Sequence, residues 1–118
     1  MDAYELVISL FALNPNYESA IKNNGIQRLD LIDNLLSKYP NPVLEKARIK
    51  PHRILGTSHN LSNALIDLIY NRVVRHWVPG DFLTWNFPLS PREYFDERIL
   101  PGLSEEEVSQ LEKLARSL

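Results

Sequence analysis

Three histidines have the side chains best suited to acid–base or metal chemistry. His52, His59 and His76 are separated by seven and by seventeen residues. A helical zinc site places two ligands four residues apart, so that both lie on one face of the helix. No pair of histidines in this chain has that spacing, and we interpret all three as surface or capping residues. We therefore predict no metal site and no bound cofactor.

Other catalytic patterns do not occur in the sequence. Ser58 and His59 are adjacent, but neighbouring residues at a helix start do not face each other, and no glycine elbow surrounds the serine. Glycine motifs that bind phosphates or dinucleotides are also missing. The acidic run at 105–107 falls in the first turn of a predicted helix, where the helix dipole favours carboxylates. We predict that the protein is not an enzyme.

Basic residues are concentrated in the middle of the chain, although the net charge is −2. Residues 45–76 carry six cations against two acids, and residues 77–118 carry eight acids against four bases. The six cations are Lys46, Arg48, Lys50, Arg53, Arg72 and Arg75. Those around Pro51 could contact nucleic-acid phosphates, but the preferred interpretation is a solvated face or one that pairs with the acidic tail. No aromatic residue for base stacking lies between 45 and 60.

Six aromatic residues lie between Trp77 and Phe95, in a segment with three prolines that keep much of it non-helical. Two interpretations remain open. The segment is either an ordered loop that packs on the core, or an arm that packs on a partner through Trp85 and Phe87.

The elements that would position these groups are helices. Hydrophobic periodicity and capping residues predict an all-α, compact domain of about seven helices, with no hairpin. Asp2, Asn14-Pro15, Asn41-Pro42 and the Ser104/Glu107 capping box mark helix starts. Residues 50–60 are expected to form a kinked helix or a loop, because Pro51 interrupts the helical pattern.

The longest predicted helix covers about 61–77 and is expected to be the central buried helix. Its inner stripe contains Leu61, Ala64, Leu65, Leu68, Ile69 and Val73, and Ile66, Tyr70, Val74 and Trp77 widen it. So wide a stripe predicts contacts on two sides. Arg72, Arg75 and His76 would then lie in its last turns, where the helix dipole favours cations.

Residues 3–49 resemble an armadillo repeat boundary. Ala3–Leu13 would end one repeat, Asn14–Asn24 would be the next first helix, and Gly25 the corner. Residues 26–38 would form the second helix, and Pro42 would open the next third helix. The resemblance implies stacked helices in the N-terminal half. It also implies a groove that binds proteins or extended peptides, although Pro51 falls inside the third helix.

The chain of 118 residues corresponds to one domain. We expect it to span 1–118, with an irregular segment at 79–103 and an acidic helix at 104–118. There are no cysteines, no apolar run approaches the ~20 residues of a membrane helix, and the N-terminus lacks the basic region of a signal peptide. We therefore expect a cytoplasmic protein with no membrane contact.

The predicted function is that of a non-catalytic interaction module or assembly subunit. We expect it to bind a protein partner or a second copy of itself through the basic residues together with Trp85 and Phe87. The alternative is a nucleic-acid-binding subunit that uses the basic residues at 46–53.

Overall fold

A computed structural model describes residues 1–54 and 58–118 of the chain. This part of the chain is mostly helical, and it also contains a small antiparallel sheet. The α-helices are α1 (Ala3–Leu13), α2 (Pro15–Asn23), α3 (Arg28–Leu36), α4 (Pro42–Lys46), α5 (His59–Tyr70), α6 (Pro91–Tyr94) and α7 (Glu105–Arg116). The strands are β1 (Ile26–Gln27), β2 (Val74–Trp77) and β3 (Phe82–Trp85). A π-helical turn (Phe95–Ile99) and a 3-10 turn (Leu100–Gly102) connect α6 to the segment before α7.

Helix α1 lies at the centre of the core. Its residues from Leu6 to Ala12 are all buried, as its almost uniformly apolar sequence predicts. It packs against α2, α5, α6 and α7. Asp2 caps its start by accepting a hydrogen bond from the Glu5 N–H at 2.8 Å. The 61–77 helix was predicted to be the central buried helix. Its observed counterpart, α5, shares that position with α1, against which it packs.

Asn14 connects α2 to the C-terminal helix. Its side-chain oxygen accepts hydrogen bonds from the N–H groups of Asn16 (2.9 Å) and Tyr17 (3.1 Å), which confirms the predicted cap. Its Nδ2 donates to the carbonyl oxygen of Ala115 at 2.8 Å. One buried side chain thus fixes both the start of α2 and the last turn of α7.

The sheet corrects the all-α prediction, which expected no hairpin. Its order is β1-β3-β2, and both pairings are antiparallel. Gly25 adopts a left-handed conformation (φ +84°) after α2, and it leads into β1 before α3 begins. A β-carbon at this position would lie 3.2 Å from the carbonyl oxygen of Leu83, so the close approach of β3 also requires glycine.

The long helix predicted at 61–77 ends at Tyr70, and its last part forms β2 instead. Arg72 adopts a left-handed conformation (φ +60°), and the Val73 N–H donates to the Leu68 carbonyl at 3.0 Å, which closes the helix. Ile66 and Tyr70 are exposed and do not belong to the inner stripe. Within the predicted kinked segment, residues 49–54 are not helical, and residues 55–57 lie outside the described residues.

In the C-terminal part of the chain, helices begin where capping residues occur in the sequence. Ser90 and Ser104 each form a capping box, with Glu93 and Glu107 respectively, at the starts of α6 and α7. The segment at 79–103, expected to be irregular, contains β3, α6 and the two shorter turns. Within the described ranges, no helix has the length and apolar character needed to cross a membrane.

Candidate interaction surfaces

The basic segment, defined as Lys46, Arg48, Lys50 and Arg53, is exposed to solvent. It begins at the last residue of α4 and continues into the connection before α5, where Arg48 has φ +57°. Three of its members lie on the wall of an open groove of about 490 Å³. None of the four forms an ion pair with another residue of 1–54 or 58–118.

The acidic helix α7 packs against α4, close to the start of the basic segment. The pKa of Glu107 is lowered, chiefly because its carboxylate accepts a hydrogen bond from the Ser104 N–H and to a smaller extent because of the charge of Lys46. The acidic tail therefore influences this end of the segment electrostatically without forming an ion pair with it.

The histidines fall into two separate places. The rings of His52 and His59 meet edge-to-face, with centroids 5.4 Å apart. His76 lies on β2, where its Nε2 is hydrogen-bonded to Asp81. Over the described part of the chain, no group of three or more potential ligands is arranged to hold a metal ion.

The prediction that Arg72 and Arg75 lie in the last turns of a 61–77 helix is wrong, because α5 ends at Tyr70. Arg72 is exposed in the turn after α5, and Arg75 is exposed on β2. Together with Ile69 and Trp77 they line a second groove, of about 390 Å³. The cations predicted as one set are thus placed on different elements.

Trp85 and Phe87 pack within the chain itself. The Trp85 ring lies edge-on to Phe11 and to Tyr94, at centroid distances of 6.5 and 6.4 Å, and its Nε1 donates to the Leu89 carbonyl at 2.8 Å. Phe87 contacts Tyr94 at 5.3 Å, and the Arg98 guanidinium lies over its ring at 5.2 Å. Their contacts correspond to the first interpretation of the aromatic segment, a loop that packs on the core.

An exposed apolar surface, not predicted from the sequence, lies at the hairpin end of the sheet. Trp77 and Phe82 are directly opposite each other on β2 and β3, and they are 51% and 37% exposed. Val78, in the turn, is 78% exposed, and Leu29, two residues after β1, is 58% exposed. We refer to these four residues as the hairpin surface.

The hairpin surface is held in place by a polar cluster at the turn. Asp81 accepts hydrogen bonds from the Arg28 side chain (3.1 Å) and from His76, and its carbonyl accepts one from the Arg28 N–H (3.0 Å). The hydrogen bond to His76 is the main reason that the pKa of Asp81 is lowered. Trp77 Nε1 also donates to Thr84 Oγ1 at 2.8 Å, which orients the indole across the outer face of the sheet.

The sequence does contain a signal for this hairpin. Val73-Val74 and Trp77 precede a Pro79-Gly80 turn, and Phe82, Thr84 and Trp85 follow it; β-branched and aromatic residues on both sides of a turn are typical of paired strands. The same residues also fit a helical period of three and four, which led to the prediction of a longer helix.

Comparisons with known proteins give no relative from which a function could be transferred. No family model matches the chain, and neither the curated proteins nor the solved structures contain a significant match.

Proposed function

We propose that this protein is a non-catalytic interaction module that binds another protein through the hairpin surface. The observation that supports the proposal is the grouping of Leu29, Trp77, Val78 and Phe82 at one end of the sheet, where all four are substantially exposed. A group of exposed apolar residues on a small domain is typical of a protein-binding site. Tryptophan is also among the residues that most often dominate binding energy.

The arrangement of the hairpin favours binding over a purely structural role. The polar cluster around Asp81 and the Trp77–Thr84 hydrogen bond hold the patch in one geometry before a partner arrives. Preorganisation of this kind reduces the entropy that must be lost on binding. The sequence resemblance of residues 3–49 to the armadillo family, whose members bind proteins and extended peptides, adds support.

The electrostatics near the patch favour a protein over a nucleic acid as the partner. Arg28, the cation nearest to Leu29 in sequence, is ion-paired with Asp81 through its Nε. Nucleic-acid sites are rich in available cations, whereas the centre of a protein interface is depleted of charge. The four residues of the hairpin surface are all uncharged, and the exposed Arg75, two residues before Trp77 on β2, would belong to its rim.

The test is a comparison of partner capture by matched surface variants. Leu29→Ser combined with Val78→Ser removes two exposed aliphatic side chains from the hairpin surface, and Ile66→Ser removes one, 55% exposed, from α5. We expect the wild type and Ile66→Ser to retain the same protein from nuclease-treated extract of the native source. The double variant should retain it about thirtyfold less well, as expected for the loss of two apolar contacts of about 1 kcal/mol each.

Two results would refute the proposal. Equal retention by all three proteins, with unchanged thermal unfolding, would remove the hairpin surface from the interface. Retention that occurs in untreated extract and is lost from nuclease-treated extract would favour the second candidate. Light scattering of the purified chain identifies the case in which the partner is a second copy, since only the double variant would then become monomeric.

The second candidate function is nucleic-acid binding by the basic segment. It is favoured by one observation: Lys46, Arg48, Lys50 and Arg53 are exposed and form no ion pair among the described residues. Because phosphate contacts release counterions, binding of a single-stranded oligonucleotide should weaken steeply with salt. Lys50→Glu with Arg53→Glu should abolish it, and Leu29→Ser should not. Salt-independent binding would exclude this candidate.

A further inference from the structure

We propose that the partner bound by the hairpin surface is a second copy of this chain, related to the first by a two-fold axis. This inference rests on the proposed function, because it identifies the protein that occupies the proposed surface. Trp77 and Phe82 are directly opposite each other on β2 and β3, so their side chains lie on one face of the sheet. Apolar residues are enriched at the centre of homodimer interfaces.

The two flanks of this face carry opposite charges. On the β2 flank, Arg72 and Arg75 are exposed, and they line the second groove together with Trp77. On the β1 flank, Asp30 is exposed near the start of α3, and it lines a separate groove of about 380 Å³ together with Phe82. Because β1 and β2 are the outer strands in the order β1-β3-β2, the two grooves lie on either side of the pair formed by Trp77 and Phe82.

These flanking charges are not neutralised within residues 1–54 and 58–118. Arg72, Arg75 and Asp30 form no ion pair with another residue of these ranges. The same is true of Asp33, which is exposed one turn after Asp30 on α3. By contrast, the acid of the hairpin turn is bound to two basic side chains. A partner therefore meets two cations on one flank and two acids on the other.

A two-fold axis makes these flanks self-complementary. When the axis lies between two facing sheets and runs along their strands, it exchanges the flanks, so that the cations of each copy face the acids of the other. An axis across the strands would instead bring like flanks together, which is unfavourable. The charges therefore select a dimer in which Arg75 of each copy faces Asp30 of the other, on both sides of an apolar centre formed by Trp77 and Phe82.

The experiment measures self-association of the purified chain by sedimentation velocity over a range of concentrations. The hairpin surface is smaller than the ~20–30 residues per side of a standard interface, so we expect a weak dimer with a dissociation constant of about 10–100 µM. Arg75→Glu and Asp30→Lys should each weaken it about tenfold or more, because symmetry turns one substitution into two repulsions. Arg53→Glu in the basic segment and Glu112→Lys on α7 reverse exposed charges elsewhere and should leave it unchanged.

A mixture of the two flank variants is the decisive measurement. In a mixed pair, the glutamate introduced at position 75 of one copy faces the lysine introduced at position 30 of the other, and the second contact keeps its native Arg75 and Asp30. Arg75→Glu and Asp30→Lys should therefore associate with each other about as tightly as the wild type does with itself, although neither variant associates with itself. Thermal unfolding followed by circular dichroism verifies that each variant is folded before mixing.

Three results would overturn the inference: a wild type that stays monomeric, a dimer that neither reversal weakens, and a mixture of the two variants that stays monomeric. The proposed function is tested separately. If the chain is monomeric, and Leu29→Ser with Val78→Ser still abolishes capture of a different protein from extract, the partner is not a second copy and the proposed function stands.

Discussion

Asn14 offers a sharp test of how the two ends of the chain are coupled. Its side chain caps α2 through Oδ1 and binds the Ala115 carbonyl of α7 through Nδ2, and it is only 4% exposed. Loss of an asparagine cap costs about 1 kcal/mol. Loss of the 2.8 Å hydrogen bond to the Ala115 carbonyl, which then keeps only weaker contacts from the end of α7 such as the Leu118 N–H at 3.4 Å, costs a further ~1–2 kcal/mol. We therefore expect Asn14→Ala to lower the free energy of unfolding by about 2–3 kcal/mol.

Two further variants separate the contributions. Asn14→Ser keeps a capping oxygen but cannot reach Ala115, so it should cost only the second part, about 1–2 kcal/mol. Asn41→Ala removes a cap alone, because Asn41 accepts one hydrogen bond from the Val43 N–H, and should cost about 1 kcal/mol.

Urea unfolding at neutral pH, followed by circular dichroism, measures all three changes as shifts of the midpoint at constant slope. The reasoning fails if Asn14→Ala costs no more than Asn41→Ala. In that case the hydrogen bond between Asn14 and Ala115 would contribute nothing measurable to stability.

The remaining predictions concern the sheet and a helix cap. Asp81→Asn keeps a side chain that tolerates φ +54°, but it removes the charge that pairs with Arg28 and His76. It should therefore lower the free energy of unfolding by about 1 kcal/mol at pH 7. Because the pKa of Asp81 is lowered in the fold, its contribution exists above about pH 4 and disappears as the pH falls through that lowered value, so wild type and variant should converge in acid urea melts. Gly25→Ala should cost about 1–3 kcal/mol, since it combines positive φ with contacts at 3.2 Å, whereas Gly102→Ala, which meets open space, should change stability by under ~0.5 kcal/mol. Ser104→Ala should cost about 1 kcal/mol in thermal unfolding, through loss of the α7 capping box.

Clear results would contradict each of these. A constant difference between Asp81→Asn and wild type across the pH range would mean that the carboxylate does not stabilise the hairpin. Equal losses of stability for alanine at Gly25 and at Gly102 would mean that neither the positive φ nor the close approach of β3 restricts the side chain at position 25. An unchanged melting temperature for Ser104→Ala would mean that the cap is replaced by water.

The helix starts could be predicted from the sequence because capping is local. At Asn14-Pro15 and Asn41-Pro42, the capping oxygen and the N–H groups it accepts from are two or three residues apart, so the pattern contains the whole interaction. The sheet could not be predicted from local sequence patterns of this kind. The pairing of Ile26 with Leu83 joins segments that are remote in sequence, and a strand as short as β1 has no periodicity of its own.

The error at the end of α5 has a specific physical origin. Val73, Val74 and Trp77 continue the helical spacing of Leu65 and Leu68, and the periodicity alone does not separate a helix from a strand over so few residues. What decides the outcome is the left-handed turn at 72 and the availability of β3 as a partner. The hairpin surface was missed for the same reason, since its members come together only through that pairing.

The central position of α1 has a consequence for how the protein is made. Among the described residues, this helix is synthesised before the α-helices that pack against it, α2, α5, α6 and α7. Until α7 leaves the ribosome, part of a nearly uniformly apolar segment has no native cover, and such a segment is a ready target for chaperones or for aggregation. We therefore expect folding on the ribosome to be completed late, with the emergence of Leu111 and Leu114, whose burial closes the core around α1.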